Sequence, residues 1–97
     1  MHKVYKYPIT QDNIIHENIK LPRNAIILSV ICQNNLPVLY CLVDPEEEWT
    51  EDHTIIVAGT GWEIDKETVN KITRNNLKFL GTIQQYEGQL IWHIWIE

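Results

Sequence analysis

The sequence predicts a mainly β domain of the α+β kind. It reads as a compact antiparallel sheet, or a small barrel or sandwich, of about six to seven strands with one short helix near 66–75. Three observations predict it. Segment after segment either alternates apolar and polar residues or is apolar almost throughout, with Ile, Val, Leu and aromatic residues prominent. Two of the gaps between segments, at Asn34-Asn35 and Glu87-Gly88, have the chemistry of tight hairpin turns. One stretch, after Asp65, spaces its apolar residues Val69 and Ile72 as a helix does rather than as a strand does. With 97 residues, the chain is a single domain, 1–97, with one modest core.

Residues 3–7 form the first strand, stopped by Pro8. Residues 14–21 form the second. Ile15, Ile19 and Leu21 share one face, and His16, Asn18 and Lys20 share the other. Glu17 interrupts the apolar face and marks an edge strand, which Pro22 ends. Residues 25–33 and 36–43 pair as a hairpin over Asn34-Asn35, because Asn tolerates positive φ. Both strands are apolar at nearly every position, which places the hairpin centrally. The register sets Cys32 opposite Pro37 and Cys41 opposite Leu28. Pro37 then falls at a non-hydrogen-bonded site, where its missing N–H is not needed.

Asp44 opens an acidic loop in which Glu46, Glu47, Glu48, Glu51 and Asp52 surround Trp49; such a run is ordinarily solvated. Residues 54–58 make a strand that leads into Gly59-Thr60-Gly61-Trp62. Asp65 N-caps a helix that turns Val69 and Ile72 to the core and stops at Asn75-Asn76. Residues 77–86 and 89–96 make a second hairpin over Glu87-Gly88. Its register pairs Ile83 with Trp92, Gly81 with Ile94 and Phe79 with Ile96 on a core face, with the Trp92 ring covering Gly81. The opposite face carries Leu80, Thr82, Gln84, Tyr86, Ile91, His93 and Trp95, a mixture suited to an interface or a ligand site. The last strand is therefore apolar on both faces. A chain this small has difficulty covering both, which predicts self-association as a dimer or tetramer.

Composition narrows the function classes. Thirteen acidic against 8 basic residues give a formal charge of -5. That argues against a duplex-DNA binder, which needs excess Lys and Arg for phosphates, but leaves a small anionic ligand open. Cys32 and Cys41 lie four residues apart on one face, roughly 13 Å, too far for a disulfide, which needs Cα atoms within about 7 Å. Two reduced, inert thiols and a cytosolic protein are expected. No zinc or calcium ligand pattern is present, and no cofactor is implied. Residues 1–20 carry polar and charged groups throughout, unlike a signal peptide, and no apolar run suits a membrane helix.

Gly59-Thr60-Gly61 is the main chemical candidate. Glycines let backbone N–H groups converge on an anion, and the Thr hydroxyl adds a donor. The motif lacks the length and Lys of a phosphate loop, and a turn or bulge requiring positive φ is the commoner explanation. Trp62 abuts the turn and could stack on a base or sugar. Trp49, Trp92 and Trp95 fit core or interface anchoring. Arg23, Lys66, Lys71 and Arg74 could meet phosphate, and each is also plain surface. His2, His16, His53 and His93 lack metal spacing; His93, between Ile91 and Trp95, reads as a satisfied, partly buried histidine.

The order of short segments resembles a family of small proteins from phages and prophages. The matching pieces are Lys3-Val4-Tyr5-Lys6-Tyr7, Leu21-Pro22, Ala25-Ile26-Ile27-Leu28-Ser29-Val30, Gln33-Asn34, Leu42-Val43-Asp44-Pro45, Gly59-Thr60-Gly61, Leu80-Gly81-Thr82-Ile83-Gln84 and Leu90-Ile91-Trp92-His93. They span nearly the whole chain; the stretch 63–76 is longer than that family's pattern. The size and style are similar to phage anti-defence sponges, which hold cyclic nucleotide signals of CBASS-type bacterial immunity without cleaving them. The resemblance implies a non-enzymatic homo-oligomer in the host bacterial cytoplasm, with ligand pockets at subunit interfaces. It implies phosphate contact by Gly59, Thr60 and Gly61 and stacking by Trp62, Tyr5 or Trp95; Arg74, from its charge, is the cation expected to join them. Two other expectations compete: a protein-binding inhibitor that uses its aromatic and acidic surface to block a host protein, and a nucleotide-processing enzyme working through His93.

Overall fold

Alternating apolar residues can be buried only against a second apolar surface, and here two sheets supply it for each other. The computed structural model describes residues 1–9 and 16–97. The strands are β1 (Lys3–Pro8), β2 (His16–Pro22), β3 (Ile26–Gln33), β4 (Leu36–Val43), β5 (Thr50–Gly59), β6 (Lys78–Gln85) and β7 (Leu90–Ile96), with one helix, α1 (Lys66–Thr73), between β5 and β6. They form a three-stranded sheet in the order β1-β4-β3 and a four-stranded sheet in the order β2-β5-β7-β6. All pairings are antiparallel. The fold is thus mainly β with one short helix, and its sheets pack face to face as a sandwich. Val30, Leu39, Cys41 and Val43 from one sheet meet Leu21, Ile55, Val57, Ile83, Ile94 and Ile96 from the other in a single buried cluster. Among the described residues no helix is long and apolar enough to cross a membrane.

The first hairpin turns as its sequence predicts. Asn34 and Asn35 take φ of 52° and 62°, and Gln33 faces Leu36. Positive φ at both turn positions is the type I′ signature, whose twist matches that of the strands. Cys32 lies opposite Pro37. Farther along, a bulge between Ile27 and Ser29 shifts the register, so Cys41 faces Ile27 and not Leu28. The expected central position holds for β4 alone. β3 is an edge strand, because β1 takes the other side of β4. β2 is also an edge, as Glu17 suggested; the Ile14 and Ile15 positions of that predicted strand lie outside the described residues.

The second hairpin keeps its predicted register near the turn, with Ile83 opposite Trp92 and Gly81 opposite Ile94. The turn itself is wider: Gln85 faces Leu90, and Tyr86, Glu87 and Gly88 all have positive φ. At the far end a bulge between Phe79 and Gly81 puts Lys78 opposite Ile96 and Phe79 opposite Trp95. One extra residue reverses which face each side chain takes. Phe79 therefore leaves the core face and meets the Trp95 ring at 5.5 Å, while Leu80 packs against the core. Gly81 serves a different purpose from the one predicted: a Cβ there would stand 3.2 Å from Val30 Cγ1 of the facing sheet. The missing side chain lets the two sheets approach.

The helix is shorter and rotated relative to expectation. Asp65 sits at the N-cap with extended backbone, its side chain making no capping bond, and its carbonyl accepts the Val69 N–H. At the other end Asn75 has φ of 60° and donates to the Ile72 carbonyl, while the Asn76 N–H reaches Lys71. This is the Schellman closure that Asn at this position favours. Val69, expected in the core, is 41% exposed; Thr68 is buried in its place, with Ile72 partly buried four residues on. The turn before the helix fixes which row faces the sheet, and that row is 68/72.

Candidate functional site

The site begins where β5 ends. Gly59, Thr60 and Gly61 reverse the chain: the Trp62 N–H donates to the Gly59 carbonyl at 3.0 Å, and Gly61 takes φ of 87°. The reversal folds the Trp62 ring onto Gly59, where an added Cβ would lie 2.8 Å from ring atoms Cε2 and Nε1. The predicted cover of Gly81 by Trp92 is not found; the strand glycine that lies under an indole is Gly59, beneath Trp62. Trp92, the cross-strand partner of Gly59, meets Trp62 edge to face at 5.0 Å and 89°. The Trp92 indole N–H is held by the Gln85 side-chain carbonyl, and Gln85 Nε2 donates to the Asn35 backbone carbonyl at 2.6 Å. The two hairpin turns thereby fix the position of Trp92, and through it that of Trp62.

Beyond Trp62 the chain passes over the outer face of β5 and β7 into α1. Ile56 and Trp95 are cross-strand neighbours on that face. The passage leaves a cavity of about 420 Å³, with Ile56, Val57, Ala58, Trp95, Trp62 and Ile64 as apolar lining and Glu63, Asp65 and Thr68 as polar lining. The volume is that of a small-molecule site. The charged residues on it are both acidic. A smaller hollow of about 140 Å³ lies beside Gly59, Thr60, Trp62 and the start of β7.

The predicted site residues divide. Gly59, Thr60, Gly61 and Trp62 form one turn, and Trp62 shares its cavity with Trp95. Arg74 is the exposed C-cap of α1 and does not line that cavity. Tyr5 belongs to β1 in the other sheet, paired with Cys41, and is separate from it. The turn's donors are largely committed. Thr60 N–H bonds to the Ile91 carbonyl at 3.1 Å and Trp62 N–H to Gly59, so a phosphate would have to displace backbone hydrogen bonds. The Thr60 hydroxyl lies 2.7 Å from His93 Nε2, and His93 Nδ1 lies 3.0 Å from the Thr82 hydroxyl. Hydroxyls can donate or accept, so either imidazole tautomer is satisfied here. The third group is the Thr82 hydroxyl and not the carboxylate of a Ser-His-Asp arrangement. This is the arrangement of a satisfied histidine.

Two groups elsewhere have displaced pKa values. Burial pushes the Cys41 thiol up, and burial, followed by the neighbouring Cys41 and Tyr5, pushes the Tyr7 phenol up. Neither Cys32 nor Cys41 is in a disulfide. The acidic loop is locally braced: Asp44 accepts from the Glu46 N–H and Glu47 from the Trp49 N–H, both at 3.0 Å, and Arg23 lies 3.7 Å from Glu47.

Sequence reasoning missed Ile56, Glu63, Asp65 and Thr68 as cavity residues. Hydropathy carries no signal for a hydroxyl at the sheet-facing position of a helix whose neighbour Val69 is apolar. The length of the 60–77 connection was the available hint, since a connection that long must lie on something.

No curated protein and no solved structure matches the chain. A family model matches residues 1–97, and the chain belongs to that family, described as a domain of unknown function (DUF7352).

Proposed function

We propose that the protein is a non-catalytic binding protein that captures a small ligand with a flat, apolar body in the cavity carrying Trp62 and Trp95. The observation that supports it is that cavity: two indoles and an aliphatic floor, fixed by strand pairing on one side and by the Gly59 contact on the other. Rigid aromatic walls bind flat groups with little entropy to lose on binding. In the narrower form of this reading, the ligand is a cyclic oligonucleotide immune signal, sequestered intact by a homo-oligomer of phage origin in the host cytoplasm. The family resemblance of the segments supports that form. A base would stack in the cavity, and its phosphates would stay outside, in solvent or against a second copy.

A capture-and-release assay tests it. The protein is mixed with cyclic di- and trinucleotides, ADP-ribose derivatives and a set of uncharged heteroaromatic compounds. Unbound material is removed, the protein is heat-denatured, and the released fraction is analysed. Intact ligand is expected. A converted product would make the protein an enzyme, and an empty fraction would sink the capture reading.

A second reading, a protein-binding inhibitor, is favoured by a different surface. Val4, Ile26, Ile31 and Leu36 on the three-stranded sheet and Trp49 on the acidic loop are exposed. Clustered exposed apolar groups are characteristic of protein-binding surfaces. A defined host protein recovered in stoichiometric amount, and lost on Ile31→Lys, is its expected result.

A further inference from the structure

We infer that the outer face of the three-stranded sheet binds a second copy of the chain, with the strands of the two copies antiparallel across a two-fold axis at Tyr40. The inference deepens the homo-oligomer of the proposed function by assigning its face, and it rests on that reading in this respect alone.

Leu39, Cys41 and Val43 belong to the core, so Leu36, Val38, Tyr40 and Leu42 of β4 point away from it. The register carries this outer face onto the flanking strands. Val4 and Ile26 lie beside Leu42, Lys6 and Ser29 beside Tyr40, and Pro8 and Ile31 beside Val38. Val4, Ile26, Ile31 and Leu36 are each about half exposed, as is Leu28 at the bulge. Lys6 is the one charged side chain in these rows. It stands on the edge strand β1, where its stem can cover apolar surface while its amine stays in water. Two of the polar groups satisfy each other, since the Tyr40 hydroxyl donates to Gln33 Oε1 at 2.7 Å. A partner chosen by charge would be drawn to the acidic loop. A copy of the same chain, with its own formal charge of -5, is repelled there and meets no carboxylate in these rows.

The relief of the face also fits its own copy. One end, at Leu42, is raised by the half-exposed Val4 and Ile26. The hairpin end holds a hollow of about 130 Å³ lined by Lys6, Pro8, Gln33, Asn34, Leu36 and Val38. Val38 is only 5% exposed although it points away from the core. The Leu42 and Val38 rows are four residues apart, roughly 13 Å, with Tyr40 midway. A two-fold axis crossing the strands at the Tyr40 row lays the raised end of each copy on the hollow end of the other. Parallel strands would set raised end against raised end. The antiparallel contact is isologous and closes at a dimer. It places Ile26 against the second copy's Ile31. The face offers on the order of 600 Å² per copy, and the pair reaches the lower bound of stable interfaces, about 1,200 Å². A micromolar dimer is the expected product.

The cavity lies on the outer face of the other sheet, so it points away from this interface. Each chain of the dimer carries its own complete cavity and takes one ligand, and the phosphates of a nucleotide-like ligand stay in solvent.

Sedimentation equilibrium of the whole protein from about 1 to about 300 µM tests the assignment, a range that brackets a micromolar dimer. The mass should rise from one chain to two. Added salt should tighten the dimer, because the two chains carry like net charge. Ile26→Lys and Ile31→Glu, both at exposed positions, should each weaken association at least about thirtyfold, since each change appears twice in the interface. Mixed one to one, the two variants should pair with each other, because the new cation of one faces the new carboxylate of the other. Urea unfolding at the lowest concentration, where the parent is monomeric, should be alike for all three and shows that the variants fold. A parent that stays at one chain, a dimer that neither variant weakens, or a mixture that fails to pair overturns the inference. So does a host protein found on this face of a monomeric parent, which would favour the second reading. Capture of ligand by the monomeric variants should equal that of the parent, chain for chain. A monomeric parent that still captures ligand overturns the interface and leaves the capture reading standing. A dimer that captures nothing leaves the interface standing and sinks the capture reading.

Discussion

The two sheets present outer faces of similar chemistry that are covered differently where Ile56 and Ile26 lie. On the four-stranded sheet, Ile56 points away from the inter-sheet core and is only 1% exposed. On the three-stranded sheet, Val4 and Ile26 flank Leu42 in one cross-strand row, and Ile26 is 55% exposed. Among the described residues, the connections of these two faces differ in length. β3 and β4 join by two asparagines, too few to cross a face. β5 and β6 are joined by residues 60–77, which return over their own sheet and carry α1. The cavity arises because that cover is incomplete. A site here is a property of a long connection resting on a rigid strand pair, and neither sheet alone would make one.

The largest expected effect tests whether both faces hang on one core. Trp92→Ala removes a ring that packs on the buried cluster and braces Trp62. It should cost about 3–5 kcal/mol in urea unfolding. Two separate unfolding transitions would mean that the sheets are less coupled than their shared cluster implies. Gly59→Ala should act more locally. The new Cβ would overlap the Trp62 ring, and with Trp92 edge-on behind it the ring must swing out. About 1–3 kcal/mol of destabilisation, with loss of ligand uptake, is expected. Retained uptake would show that Trp62 is not part of the binding wall.

Trp62→Ala separates site from scaffold more cleanly. Trp62 is half exposed, so the fold should survive with a smaller loss than Trp92→Ala while uptake disappears. Equal behaviour of the two variants would erase the division between core and site. On the outer face of the three-stranded sheet, Ile26→Lys and Ile31→Lys should shift stability by no more than about 0.5 kcal/mol, as exposed substitutions do, and should leave uptake intact. Sedimentation of the same variants reads the other half of the contrast: a fall in mass relative to the parent protein would reveal that a partner covers this face in solution.

Much of the sheet architecture was legible in the chain, and its failures have common causes. Asn34-Asn35 fixed its turn, because few residues other than Asn, Asp and Gly accept two successive positive φ values. Glu17 marked its edge by breaking an apolar face. The bulges at Leu28 and Leu80 leave no mark in the sequence: each extra residue is a Leu beside another apolar residue, Ile27 or Phe79, so the alternation gives no sign of the shift. Alternation alone therefore puts Phe79 on the core face and Leu28 opposite Cys41, and the bulges undo both. The site was legible only in part. Gly59-Thr60-Gly61-Trp62 drew notice as a turn beside a ring, but the fold of that ring back onto Gly59, and the place of Trp95 beneath the returning chain, depend on the tertiary path of 60–77. Arg74 is suggested by its charge and Tyr5 by the family resemblance, and neither signal carries position: both residues lie apart from the cavity.

The last prediction is silent at neutral pH and bears on the three-stranded sheet, which holds both Cys41 and Tyr7. Burial favours the neutral, protonated form of each, so both pKa values lie above the ordinary 9.0 of a thiol and 10.0 of a phenol. In the unfolded chain these protons leave near the ordinary values, while in the native state they remain bound. The native state then holds more protons than the unfolded one, and unfolding free energy falls as pH rises. Stability should therefore be level through the neutral range, begin to decline as the pH passes the ordinary thiol value, and decline further as it passes that of the phenol. Urea midpoints at about pH 8, 9.5 and 10.5 read this directly. Cys41→Ala leaves a small void and lowers all three midpoints, but it should remove the earlier part of the slope, and Tyr7→Phe should remove the later part. A midpoint that rises with pH, or a slope unchanged in both variants, would mean that these two groups are not buried in the sheet as described.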